Sequence, residues 1–385
     1  MVKRLTFLLI SLSFIISCST VDERKFPPLT PTTPGEFLKI IAAGNADKFA
    51  GKIRYTSKLI ENLSIEHKNF AFSRFDNVVF RNIKINNVIF HANSFNDTRF
   101  ENVTFHNVDF SGASFYQAIF INCKFINTNF SGSNLRNSQL SNTVISKSKL
   151  HYTNFRESSW QNITISDSDF FKSNFIYIII KNSNLSDSSF KFADFTKATI
   201  KNTKFINAFM ESAHMNYATL AEIDFSKSDL INSQFNYSEL DKINFSNTQA
   251  IGMNIERSKI KNSNFSSSDF RESFIEDSEF NKTDFSHSKF QFAKFDFSQL
   301  DGANFNNSNL SRASFKRASL NDANLSHTTS KWTSFLMTDL KSVDFSGADI
   351  HKADFRGSDL KNTRLNDTKN RQTSIGLNKA DNYQP

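Results

Sequence analysis

The sequence predicts an all-β solenoid in which the chain turns once every five residues. First, every fifth residue from Ile65 to Leu365 is apolar except Ser330, and 32 of these 61 positions are Phe. Second, the residue two positions before each of these apolar residues is small or β-branched, as at every fifth residue from Ala113 to Thr143. Third, Asn recurs every twenty residues from Asn82 to Asn202. A period of five fits neither an α-helix nor a flat strand, so the repeat determines the fold.

The five positions of each repeat have different expected environments. With the apolar position called i, positions i−2 and i lie on one side of an extended chain and therefore point into the core. Positions i−1 and i+1 point outward, and i+2 lies outside at each corner. Cys123 is an i−2 residue and is expected to be a small buried hydrophobe. A change at an outward polar position such as Asn96 is expected to alter stability by less than about 0.5 kcal/mol.

The Asn column predicts twenty residues in each coil. Coils of a parallel solenoid stack about 4.8 Å apart, so Asn side chains twenty residues apart can form amide-to-amide hydrogen bonds along the axis. About fifteen coils would make a rod on the order of 70 Å long.

Short motifs within the repeat resemble a known family. Ala303-Asn304-Phe305, Ala323-Asn324-Leu325 and Ala353-Asp354-Phe355 resemble the A(D/N)LXX pattern of pentapeptide-repeat proteins. The resemblance covers about 300 residues, although Phe replaces Leu at most central positions. It implies a right-handed quadrilateral parallel β-helix with four pentapeptides per coil, which we place at residues 60–375, followed by a polar tail at 376–385.

The N-terminus has the features of an export signal with a lipid attachment site. Lys3 and Arg4 precede an apolar run that is too short to span a bilayer comfortably. The run ends in Ile15-Ile16-Ser17-Cys18, which resembles a bacterial lipobox. That resemblance implies a lipoprotein signal peptide at residues 1–17, diacylglycerol and palmitate on Cys18, and a membrane anchor. An ordinary signal peptide with an incidental Cys is the alternative.

The resemblance also gives an expected location. The residue after Cys18 is Ser19 rather than Asp, which is similar to the sorting signal for the outer membrane if the organism is Gram-negative. We therefore expect a lipid-anchored protein of the cell envelope.

Two short segments separate the predicted anchor from the repeat. Residues 18–33 are rich in Pro and Thr and are predicted to form an extended tether. Residues 34–59 are predicted to cap the first coil, which would otherwise expose its core. Thr33, Pro34 and Glu36 form a capping-box pattern that predicts a helix over residues 34–43, with Gly44 as its stop.

The sequence contains no catalytic or metal-binding motif that we could identify, and we expect a non-enzyme without a cofactor or bound metal. Some pentapeptide-repeat proteins act on type II topoisomerases by mimicking DNA, which requires an acidic rod in the cytoplasm. The formal charge here is +8 and the N-terminus resembles an export signal, so both requirements fail. The moderately basic charge is a weak pointer to anionic partners such as phosphate-bearing lipid, polysaccharide or nucleic acid. For a chain with an export signal, we expect nucleic acid not to be the partner.

Counted around the twenty-residue coil, two neighbouring faces carry the Asn column and a second polar column, Asn87, Asn107 and Asn127. The other two faces carry most of the outward aromatic residues and are the candidate binding surface. One column holds Tyr152, Phe192, Phe292 and Trp332, and the next holds Tyr177, Tyr217, Tyr237 and Phe297. Basic residues join both faces near the C-terminal end. The predicted site residues are Tyr177, Tyr217, Tyr237, Phe292, Phe297, Arg312, Lys316, Arg317, Lys331, Trp332, Lys352 and Arg356.

Exposed aromatic and cationic side chains together suit an anionic or sugar-bearing envelope component, or another protein. The alternative is that a Phe-rich chain leaves aromatic residues outside at random. The function we expect is that of a membrane-anchored, non-catalytic scaffold, and the alternative is a surface-displayed or exported factor directed at a host. A second copy of the chain, packed end to end or face to face, is another partner to consider.

Overall fold

The structure is a computed structural model that describes residues 30–43, 53–55 and 58–379. The signal peptide, Cys18, most of the predicted tether, Gly44 and residues 380–385 lie outside the described residues, so the predictions for them stay predictions.

The described residues form one α-helix, two short 3₁₀ segments and nineteen strands. Helix α1 spans Pro34–Ala42, and the 3₁₀ segments span Arg371–Thr373 and Leu377–Lys379. The strands are β1 Thr30–Thr32, β2 Ile53–Tyr55, β3 Leu59–Glu61, β4 Ser64–Glu66, β5 Val79–Arg81, β6 Lys84–Asn86, β7 Arg99–Glu101, β8 Thr104–His106, β9 Ile119–Ile121, β10 Lys124–Ile126, β11 Gln139–Ser141, β12 Val144–Ser146, β13 Ser159–Gln161, β14 Thr164–Ser166, β15 Ile179–Asn184, β16 Thr199–Lys204, β17 Thr219–Asp224, β18 Glu239–Asp241 and β19 Lys259–Lys261.

Strands β3 to β19 belong to one parallel sheet whose paired residues are twenty positions apart. Phe100, for example, pairs with Phe80 on one side and with Phe120 on the other. Isolated bridges continue the same register where no strand forms, and one ladder runs through sixteen successive bridges from Arg54 to Ile375. The predicted quadrilateral parallel β-helix with four pentapeptides per coil is confirmed.

Each coil has four faces, and each face is centred on one inward residue. In the first coil, the first to fourth faces are centred on Ile60, Ile65, Phe70 and Phe75. Strands β3 to β19 form on the first and second faces, whereas the third and fourth faces pair through isolated bridges. Because the faces follow one another around a four-sided coil, the second and fourth faces lie on opposite sides of the rod.

The corners between faces are formed by residues in the left-handed backbone conformation. Every fifth residue from Asn62 to Asp367, which is position i+2 of each repeat, has φ between 47° and 70°. Each such residue turns the chain onto the next face, so the corner side chains project outside the coil.

The core consists of stacked columns of central residues. Phe80 and Phe100 have ring centroids 5.0 Å apart with their planes 14° from parallel, and Phe100 and Phe120 are 4.9 Å apart at 4°. The predicted inward direction of positions i and i−2 is confirmed, since both are buried along almost the whole rod. Buried hydroxyl groups at i−2 bond to the preceding coil, as where the Thr98 hydroxyl donates to the Phe75 carbonyl at 2.7 Å.

Asn96 has a structural role that the sequence analysis missed. Its side-chain oxygen accepts hydrogen bonds from the Ser114 hydroxyl at 2.6 Å and from the Tyr116 backbone N–H at 3.1 Å. Asn96 therefore joins its own coil to the next one, and the expectation that it could be changed with little effect on stability is wrong on this geometry.

The N-terminal end of the rod is covered by helix α1. The predicted capping box is confirmed, because the Thr33 side chain accepts from Glu36 N–H and the Glu36 carboxylate accepts from Thr33 N–H at 2.7 Å. Phe37 is buried, with its ring 5.0 Å from Tyr55 and 5.9 Å from Phe70. The helix ends one residue earlier than predicted. Strand β1, within the predicted tether, pairs in parallel with β2.

The coil register changes at the C-terminal end. Asp354 bridges Ile375, a step of twenty-one residues instead of twenty, and Asn370 has φ 63° just before the first 3₁₀ segment. Leu377 of the second 3₁₀ segment is buried and packs with the last core residues.

Candidate binding face

The corner columns that border the second face are rich in Asn. Consecutive side chains in the column between the first and second faces bond amide to amide, with Asn82 donating to Asn62 at 3.1 Å and Asn102 donating to Asn82 at 3.0 Å. In the column between the second and third faces, Asn107 donates to Asn87 at 3.0 Å. The predicted amide ladder is confirmed. We call the second face with these two columns the Asn face.

The predicted aromatic columns border the fourth face, which lies opposite the Asn face. These columns were expected on two neighbouring faces, but they lie at the two edges of one face. Nine exposed aromatic side chains lie on this face or its bordering corners, and among the described residues only Phe209 is an exposed aromatic residue elsewhere. The nine are Tyr152, Tyr177, Phe192, Tyr217, Tyr237, Phe274, Phe292, Phe297 and Trp332. We call the fourth face with its two corner columns the aromatic face.

Tyrosine and basic side chains contact one another along the middle of one edge. The Lys197 ammonium lies 5.2 Å from the centroid of the Tyr177 ring and donates to its hydroxyl at 3.0 Å. Tyr217 and Tyr237 stack with centroids 5.0 Å apart and planes 6° from parallel. Arg257 then donates to the Tyr237 hydroxyl at 2.6 Å. In these contacts the cations hold the Tyr177 and Tyr237 rings in place, and the tyrosine side chains remain exposed to solvent.

Near the C-terminal end, arginines lie beside aromatic residues on both edges of the aromatic face. The Arg312 guanidinium carbon lies 5.4 Å from the Phe292 centroid and 5.5 Å from the Trp332 centroid. On the other edge, Arg317 lies 5.8 Å from the Phe297 centroid. About half of each of these aromatic side chains remains exposed.

The structure separates the predicted basic residues into two groups. Arg356 forms an ion pair with Asp354 at 2.7 Å, and this hydrogen bond lowers the pKa of Asp354. Lys331 pairs with Asp349 at 3.3 Å. The other four, Arg312, Lys316, Arg317 and Lys352, have no carboxylate within 4 Å among the described residues. Only this second group has a charge available for a partner.

Several residues of the aromatic face were absent from the predicted site. Lys197, Arg257 and Met337 occupy the same corner column as Tyr177, and Phe274 lies on the face itself with Lys294 at 4.9 Å from its ring. The periodicity alone could have identified them, since each shares its position in the twenty-residue coil with the residues around it.

The described residues offer little support for chemistry of another kind. No group of three or more His, Cys, Asp or Glu side chains among them is arranged to hold a metal ion. Cys123 is buried, and burial raises the pKa of its thiol to about 12. None of the described helices combines the length and apolar character needed to cross a bilayer.

Comparison with solved structures found other pentapeptide-repeat proteins. HetL from the cyanobacterium Nostoc sp. strain PCC 7120 is 20% identical over 54% of this chain and 88% of HetL, with a TM-score of 0.31. A trypsin-treated form of QnrB1, a plasmid-mediated fluoroquinolone resistance protein, is 19% identical over 54% of this chain and 91% of QnrB1, with a TM-score of 0.29. A search of curated proteins found no match.

Two family models match the repeat region directly. The model described as "Pentapeptide repeat region" matches residues 113–190. The model described as "Pentapeptide repeats (8 copies)" matches seven segments: 90–122, 180–211, 193–230, 210–247, 263–296, 298–329 and 332–368. The second model alone covers more than half of the chain. The chain belongs to the pentapeptide-repeat family.

Proposed function

We propose that this chain is a non-catalytic binding rod of the cell envelope, anchored through lipid on Cys18, that binds an anionic or sugar-bearing component through its aromatic face. The observation that carries this proposal is the concentration of exposed aromatic residues and unpaired arginines on one of four faces. Exposed apolar groups that form a contiguous patch are characteristic of interaction sites, whereas scattered ones are ordinary.

The uneven distribution argues against chance exposure in a Phe-rich chain. The repeat places outward positions on all four faces in equal numbers, so a composition bias alone would scatter aromatic residues evenly. The Asn face instead satisfies its corner side chains within the rod, as its amide ladders show. We infer that the Asn face supports the fold and that the aromatic face is the binding surface.

The location is supported by the sequence of the N-terminus, in which a charged segment, an apolar segment and Cys18 have the spacing of a lipoprotein signal. Stable anchoring requires more than one acyl chain, which diacylglycerol supplies. Protease treatment of whole cells would show whether the rod is displayed outside or faces the periplasm.

The test compares two triple variants in binding to isolated envelopes, lipopolysaccharide and peptidoglycan. One changes Arg312, Arg317 and Trp332 to Ala, and the control changes Asn102, Asn122 and Asn142 to Ala. All six positions have positive φ, so the two variants place a similar demand on the backbone. We expect the first variant to lose binding to at least one of the three materials and the control to retain it, with circular dichroism confirming that both fold. Equal binding by the two variants would remove the reason to prefer the aromatic face.

A further inference from the structure

We propose that the C-terminal part of the aromatic face binds an acidic glycan, a sugar chain whose carboxylate or phosphate groups are separated by neutral sugar rings. This inference rests on the proposed function and names the partner of the same face. The site comprises three successive coils, which we call the three-row patch. Its outer rows have Phe292 with Phe297 and Trp332 with Met337 at their corners, and its middle row contains Arg312, Lys316 and Arg317.

Arg312 is arranged to receive an anion from outside the protein. Aromatic rings of the coils before and after it lie 5.4 and 5.5 Å from its guanidinium carbon. These contacts restrict the guanidinium, yet its side-chain N–H groups donate to no acceptor among the described residues. Carboxylates and phosphates accept two parallel hydrogen bonds from such a group. Arg271 and Arg356 show the contrast, because each already directs two N–H donors to a neighbouring Asp.

The middle row concentrates positive charge in one coil. Arg312 and Arg317 occupy its two corners and Lys316 lies between them on the face. None of the three has a carboxylate within 4 Å among the described residues, whereas nine other arginines do. The row can therefore bind anionic groups without first breaking ion pairs of its own.

The surroundings of the middle row limit how charge can be spaced along a partner. Two coils toward the N-terminus, about 10 Å away, the same face carries Glu272, Glu276 and Asp277. A closely spaced row of phosphates laid along the rod would meet these acids. The coil directly before the basic row carries Asp296 on this face, but its carboxylate already accepts hydrogen bonds from the Ser314 hydroxyl and the Lys316 backbone N–H. The corners of the two adjoining coils present half-exposed apolar side chains, including Phe297 at 55% and Trp332 at 46%. The C–H faces of sugar rings can pack against such rings while acidic groups reach the arginines.

The same geometry disfavours insertion into a lipid surface. Interfacial binding requires apolar side chains that enter the bilayer together from one continuous surface. Here the apolar rows are separated by three cations on a backbone whose coils are fixed by parallel bridges. The rings cannot converge without disrupting those bridges.

The experiment measures binding of the full chain, purified in neutral detergent, to five probes. Polygalacturonate supplies carboxylates, phosphomannan supplies phosphates, and methyl-esterified polygalacturonate supplies the same sugar rings without charge. Oligothymidylate and phosphatidylglycerol dispersed in the same detergent represent nucleic acid and anionic lipid. We expect polygalacturonate or phosphomannan to bind, the methyl ester to bind at least about tenfold more weakly, and the last two probes to bind more weakly than the acidic glycan.

Variants then locate the site. Arg312→Gln with Arg317→Gln should weaken glycan binding by at least about tenfold, since charge-assisted hydrogen bonds are lost. Arg312→Lys with Arg317→Lys should have an intermediate effect, because charge remains without the planar two-donor geometry. The control, Arg81→Gln with Arg99→Gln, removes the same charge from arginines that are already paired with Glu101 and should bind like the native chain.

The inference fails if neither acidic glycan binds, if the methyl ester binds as well as polygalacturonate, if oligothymidylate or phosphatidylglycerol binds more tightly, or if the two Gln pairs behave alike. Its failure is distinguishable from failure of the proposed function. Envelope binding that depends on the aromatic face, without binding to either glycan, would leave the proposed function in place and remove only this partner.

Discussion

At the scale of single residues, the left-handed backbone at the corner position i+2 excludes one class of side chain. A left-handed conformation is costly for β-branched side chains and is best tolerated by Gly, Asn and Asp. From Asn62 to Asp367 no corner residue is Val, Ile or Thr, although these types are frequent at i−2 and i. Their exclusion was visible in the sequence and could have predicted the left-handed corners, but we recognised only the Asn that the same restriction favours.

A second restriction at this scale comes from hydrogen bonds between coils, and Asn96 provides its test. Asn96→Ala removes the acceptor for the Ser114 hydroxyl and the Tyr116 N–H. We expect a loss of about 1–2 kcal/mol in the free energy of unfolding, because a partly buried backbone donor loses its partner. Asn96→Asp should retain most of the stability, since Asp76 accepts from the corresponding backbone N–H at 2.9 Å.

Denaturant titration followed by circular dichroism would measure both Asn96 variants. Lys84→Ala is a suitable control, because the Lys84 side chain is exposed and forms no ion pair with a described residue. An Asn96→Ala midpoint equal to that of Lys84→Ala would contradict the structural role assigned to Asn96.

Cys123 gives a chemical prediction at the same scale. Burial favours the neutral thiol and raises its pKa to about 12, so at pH 8 the folded protein should contain almost no reactive thiolate. Unfolding restores an ordinary pKa near 8.5 and exposes the sulfur. In a Cys18→Ser variant, where Cys123 is the only cysteine, a disulfide reagent at pH 8 should label one thiol in denaturant and essentially none in native buffer. Rapid labelling of the folded protein would show that this coil opens readily.

At the scale of the coil, the inward columns could be predicted from the sequence, whereas many side-chain pairings could not. One residue in every five, the central one, must be apolar to form the core. The spacing of apolar residues in the sequence therefore shows the register of the coils directly. Outward residues have no such constraint, and their partners depend on which rotamers meet across coils. Lys316 and Arg356 occupy the same position in the twenty-residue coil. Arg356 pairs with Asp354, whereas Lys316 has no carboxylate within 4 Å among the described residues.

Phe110 tests the contribution of one core residue to its coil. Its ring stacks 5.4 Å from Phe90 and 4.9 Å from Phe130 and contacts rings of neighbouring faces. Phe110→Ala should lower the free energy of unfolding by about 3–5 kcal/mol through lost burial and the cavity that remains.

The matched control for Phe110 is Phe209→Ala, because Phe209 is 47% exposed and lies outside the aromatic face. We expect that change to have a much smaller effect. Since each coil contacts only its neighbours, limited proteolysis of Phe110→Ala should begin near residues 90–130 before the rest of the rod is cut. Equal stability of the two variants, measured by denaturant titration, would contradict the packing described here.

At the scale of the whole molecule, the fold combines two specialised faces with two closed ends. Helix α1 buries Phe37 against the first coils and Leu377 packs at the last, so the rod presents its sides rather than its core to partners. The period of twenty was enough to predict the solenoid and, counted around the coil, to separate the Asn columns from the aromatic columns. We expected the aromatic columns on two faces, whereas they border one face opposite the Asn face. The change to a twenty-one-residue step at the C-terminal end could not be predicted, because no repeated pattern extends beyond Leu365.

The three-row patch lies near the C-terminal end of the rod, far from the N-terminal end that follows the proposed anchor in the chain. Arg312 is about thirteen coils from Arg54, which corresponds to roughly 60 Å along the axis, and Cys18 precedes the N-terminal cap in the chain. Binding at the patch should therefore be independent of the anchor.

Cys18→Ser should abolish labelling by palmitate and move the protein from the detergent phase to the aqueous phase of a phase-separation assay, while its binding to acidic glycan stays unchanged. Cys123→Ser is the control, because that sulfur is buried in the fourth coil and should not affect lipid attachment. If the native chain takes up no palmitate, or partitions into the aqueous phase, the lipid anchor is wrong.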